Sequence, residues 1–145
     1  MKKVILIVFL LASITSFSQI ILPATFKYVN KNSEGGDYYA DGKLTINRAC
    51  YKCDYGENIH EPFVESYYPQ AVKTKDNLFI QQIHNTDWTR YFYYYTIIIP
   101  EDKSAIQLIS KTKNKHFTDM CKWMLKQVRA KRASGNVYLD LKSRN

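Results

Sequence analysis

From Tyr91 to Ile99 the chain reads Tyr-Phe-Tyr-Tyr-Tyr-Thr-Ile-Ile-Ile, with no charge, glycine or proline. Side chains of a strand alternate between two faces. Tyr91, Tyr93, Tyr95, Ile97 and Ile99 therefore share one face, and Phe92, Tyr94 and Ile98 share the other. A half-exposed strand alternates apolar with polar residues, and this one does not. It must be covered on both faces, one by an interior and the other by a helix.

The surrounding sequence supplies partners for such a strand. Residues 24–29 and 78–83 read as strands, and residues 30–37, with Gly35-Gly36, as a loop. Asp41-Gly42 lies between Tyr38-Tyr39 and Leu44-Thr45-Ile46, which predicts a hairpin with positive φ at both turn residues. Residues 85–87 and 100–103 read as turns, while Pro62 and Pro69 limit regular structure over residues 50–76. Residues 104–110 suit a strand. A helix over 101–113 is the rival, because acids lead and lysines trail.

Further on, Thr118 can cap a helix that runs to about Arg132. Phe117, Met120, Cys121, Met124, Leu125 and Val128 fall on one side of it, and Lys122, Lys126 and Arg129 on the other. Gly135 ends the helix, and residues 137–141 alternate as a last strand. The expected class is α+β, mainly β: an antiparallel sheet or small barrel with one C-terminal amphipathic helix and a short last strand.

The first 18 residues have the form of a secretory signal. Lys2 and Lys3 precede a nine-residue apolar run, Val4 to Ala12, and small residues follow at Ser16 and Ser18. The run is too short to span a membrane. Residues 19–145 then form a single β-rich domain, exported to the periplasm or beyond the cell. Charge is uneven along it. Residues 19–102 carry −3 and residues 103–145 carry +9. Such a basic segment suits an anionic surface met through Lys122, Lys126 and Arg129, or simply a solvated helix face. Export argues against a nucleic-acid partner.

Cys50, Cys53 and Cys121 are the three cysteines. Cys50-Tyr51-Lys52-Cys53 has redox spacing, but no amphipathic helix pattern follows it. Cys50, Cys53, His60 and either Cys121 or His116 could furnish four zinc ligands, yet a second close pair is missing. An exported chain favours oxidation. Cys121 sits mid-face on the helix and points inward. Cys50 continues the parity of Leu44, Ile46 and Arg48, so the expected bridge is Cys50–Cys121. A local Cys50–Cys53 bridge is the rival. His60, His84 and His116 are isolated, and Glu57, Glu61 and Glu65 form no defined pair. No catalytic residue, metal or cofactor is assigned, and no enzyme is expected.

Thr86-Asp87-Trp88-Thr89-Arg90-Tyr91 resembles the Thr-Asp-Tyr-x-x-Tyr motif of the lipocalins. Leu108-Ile109-Ser110-Lys111-Thr112 resembles that family's last barrel strand, and residues 42–48 resemble an early one. A helix and a short final strand follow, as in lipocalins. The family's Gly-x-Trp is missing, and Lys111 stands where its partner arginine would be. The two losses are linked, because that arginine caps the tryptophan ring. The resemblance covers residues 77–142. It implies a small barrel holding one apolar or aromatic ligand, lined by Tyr91, Tyr93 and Tyr95. The alternative is an exported interaction or inhibitor module with a filled core and a basic helix.

Overall fold

The computed structural model describes residues 19–31, 36–50, 64–65, 67–85, 92–134 and 140–144. Residues 1–18, Cys53, His60, residues 86–91 and Gly135 lie outside these, and with them the expectations for the signal, the zinc set, the Thr-Asp motif, Tyr91 and the helix stop.

Nine strands and a long helix are described: β1 (Gln19–Ile21), β2 (Lys27–Lys31), β3 (Asp37–Ala40), β4 (Leu44–Cys50), β5 (Val72–Lys73), β6 (Phe79–Asn85), β7 (Phe92–Ile99), β8 (Ser104–Ser110), α1 (Lys115–Ala133) and β9 (Asp140–Lys142). Seven strands form one antiparallel sheet in the order β2-β3-β4-β8-β7-β6-β5. β2 and β5 end it on opposite sides, so the sheet is open and not a closed barrel. β1 and β9 pair in parallel as a separate two-stranded sheet.

Residues 104–110 are strand, as the alternation suggested, and not helix. β7 and β8 pair along their whole length around residues 100–103, where the Lys103 N–H donates to the Pro100 carbonyl. The hairpin between β3 and β4 is also present. Only Gly42 there has a positive φ, +86°, so the central residues are Gly42 and Lys43 and not Asp41 and Gly42. Asp41 stays outside the bend and uses its carboxylate to accept from the N–H groups of Lys43 and Leu44.

The helix starts earlier than Thr118. Asn114 is the cap, in extended conformation, and its Oδ1 accepts from the Phe117 N–H at 2.9 Å. Phe117, Met120, Cys121, Met124 and Val128 are buried. They meet Tyr95, Ile97 and Ile99 of β7, Ile106 and Leu108 of β8, and Leu44 and Ile46 of β4 in one core. The helix thus covers the face that carries Tyr93 and Tyr95. On the opposite face a small cluster joins Ala49, Phe79, Ile98 and Ala105 to Val64, Tyr68 and Ala71.

Candidate functional site

The face away from the helix is only partly filled. Strand register sets a polar row across it. Gln81 on β6 pairs with Thr96 on β7, Thr96 with Gln107 on β8, and Gln107 with Asn47 on β4. An apolar row lies on either side of this one. Phe79, Ile98, Ala105 and Ala49 form the first, beneath Val64 and Tyr68. Ile83, Tyr94, Ile109 and Thr45 form the second. A groove of about 470 Å³ lies over the polar row, with Tyr67, Tyr68, Pro69 and Gln70 as its wall.

Gln81 and Thr96 are both nearly inaccessible, at 3% and 2% exposure. The Gln107 amide donates to the Thr96 hydroxyl at 3.1 Å, so those two satisfy each other. Gln81 lines the groove beside them.

The expected site residues are placed elsewhere. Tyr95 lies in the helix-side core, where burial, opposed only by Arg129, and the nearby Cys121 push its phenol up to about 12. Tyr93 packs against that core and stacks on His84, with ring centroids 4.0 Å apart and planes 2° apart. Together with Phe117 and Lys113 these tyrosines border a cleft of only about 140 Å³. The helix covers their face because its apolar stripe is complementary to that row. The larger opening is left on the face of Tyr94. In the sequence, Thr96 interrupting the apolar run and Gln81 between Phe79 and Ile83 were the available signals.

Cys121 is a free, buried thiol, not half of a bridge to Cys50. Register explains this. Cys121 lies beside Tyr95, in the row Tyr95–Leu108–Ile46, whereas Cys50 pairs with Ser104, four residues further along β4. Four strand residues span roughly 13 Å, beyond the reach of a disulfide. Burial pushes the Cys121 thiol up to about 12, with Lys113 opposing weakly.

The basic helix face is partly engaged within the chain. Lys122 and Lys126 are exposed. Arg129, expected to join them, instead binds Asp76 at 2.9 Å, and Arg132 pairs with Glu101. Among the described residues no three His, Cys, Asp or Glu side chains gather to hold a metal. No described helix is long and apolar enough to cross a membrane. Comparison with family models, with curated proteins and with solved structures gives no match.

Proposed function

We propose that this is a binding protein, exported by residues 1–18, that takes a small molecule in the groove over Gln81, Thr96 and Gln107. The small-ligand reading of the sequence is kept, but its seat moves from Tyr93 and Tyr95 to the opposite face. The lining suits a ligand with a flat apolar surface for Tyr94 and Tyr68 and uncharged hydroxyl or amide groups for the polar row.

The groove of about 470 Å³ over the row Gln81, Thr96 and Gln107 carries this reading. An occupant there would meet amide and hydroxyl side chains in that row and aromatic ring faces beside it. Native mass spectrometry of the freshly purified mature chain tests the idea, with Gln81→Met as comparison. A co-purifying small molecule that the variant lacks is the expected result. A chain with no bound mass, whose groove resonances stay still in a screen of hydroxylated and amide-bearing fragments, would overturn it.

A further inference from the structure

A second cleft, of about 260 Å³, opens on the same face of the sheet. It is lined by Thr45, Phe92 and Ile109, with Lys43 and Lys111 at its end. The two openings meet along one row of the sheet. Ile83 and Tyr94 line the larger and Ile109 and Thr45 the smaller, and register pairs Ile83 with Tyr94, Tyr94 with Ile109, and Ile109 with Thr45. Phe92 and Tyr94 touch edge to face between them.

The last pair of the β4–β8 ladder is Leu44–Ser110, and Lys43 and Lys111 are the residues that adjoin it in the chain. Neither ammonium forms an ion pair among the described residues. The hairpin carboxylate, Asp41, is committed to His116 at 2.7 Å and to the backbone of Lys43 and Leu44. An anion at this end of the cleft would be within the field of both lysines.

We infer that the groove binds a short acidic sugar chain, with a carboxylate at Lys43 and Lys111 and further rings laid over Tyr94 to reach Gln81. The inference rests on the groove being a binding site and adds the class of its ligand. Strand geometry puts Gln81 and the lysines roughly 18 Å apart, so a single ring cannot bridge them. An extended peptide fits less well, because β7, β8 and β4 spend their backbone groups on each other. Recognition must come from side-chain amides, hydroxyls and ring faces, which suit sugar hydroxyls and ring faces. A fatty chain would cover the Gln81 amide without offering it a hydrogen bond.

Titration of the ¹⁵N-labelled mature chain with trigalacturonic acid and with its fully methyl-esterified form tests this. Both trimers should shift the side-chain amides of Gln81 and Gln107. The acid should bind about tenfold more tightly at low salt, and Lys43→Gln combined with Lys111→Gln should abolish that preference. Equal affinity of acid and ester, or a preference that survives the double variant, overturns the acidic class while leaving the groove as a site. If neither trimer moves the groove amides, the sugar-chain inference falls. Failure of the fragment screen as well then removes the groove itself.

Discussion

Asp41 ties the β3–β4 hairpin to the helix through one carboxylate. Its Oδ1 takes the Lys43 and Leu44 N–H groups, and its Oδ2 meets His116 Nε2 at 2.7 Å. Burial acts to raise its pKa, but the Leu44 and Lys43 bonds and His116 outweigh it, and the net value lies below the ordinary 3.8. Removing an acceptor of two backbone donors costs about 2 kcal/mol, so Asp41→Ala should lower the urea midpoint accordingly. Because the folded form holds the carboxylate ionised, the contribution is present above pH 3.8 and is lost as pH falls toward the lower folded value. Asp41→Asn should therefore flatten the acid limb of the stability curve; an unchanged limb would place the contribution elsewhere. Cys121 gives a second prediction at this scale. Its thiol is buried, and burial has raised its pKa to about 12, so it should resist a thiol reagent in the native chain and react after unfolding. Fast native labelling of the Cys121 peptide would contradict this packing. The direction in which Cys121 points could be read from helix periodicity. Its lack of a bridge could not, because that depends on how far along the sheet the helix lies.

The helix is held by more than its apolar stripe. Asp76, in the turn between β5 and β6, accepts from Thr74 and from Arg129, and it also lies 3.6 Å from Arg132. The Arg129 and Thr74 bonds bring its carboxyl down to about 2. The pair is partly exposed and screened, so Asp76→Ala should cost about 1 kcal/mol or less, shrinking further in high salt. Its stabilisation is fully present above pH 3.8 and disappears between 3.8 and about 2. Urea melts at low and high salt, at neutral pH and at pH 3, check both dependences; salt-independent loss would mean that the turn itself had changed. Most elements were legible in the sequence. β7 stood out by its unbroken apolar run, and the helix by its spaced apolar residues. The helix start was misplaced because Asn114 sits among lysines, where a cap competes with charges unfavourable to a helix N-terminus. The pairing of β4 with β8 was not legible, since periodicity along one strand says nothing about a partner sixty residues away. The polar row depends on that pairing, which is why Gln81, Thr96, Gln107 and Asn47 did not emerge together.

At the scale of the molecule, one face of the sheet is packed under the helix and the other bears the groove. Neighbouring residues of β8 test this division, because they point in opposite directions. Leu108 is fully buried against the helix-side core, whereas Ile109 is half-buried beside the smaller cleft. Truncating a fully buried leucine removes transfer free energy and leaves a cavity, so Leu108→Ala should cost about 2–5 kcal/mol. Ile109 has less surface to lose and borders space already open, so Ile109→Ala should cost about 1 kcal/mol. Binding should reverse the order. Ile109→Ala removes part of the row joining the two openings and should weaken the acidic trimer, while Leu108→Ala, studied where it is still folded, should bind it as the parent does. Urea melts and the same trimer titration supply both readouts. If Ile109→Ala proves as destabilising as Leu108→Ala, that face is a packed interior, and a groove formed between its rows cannot be where a ligand enters.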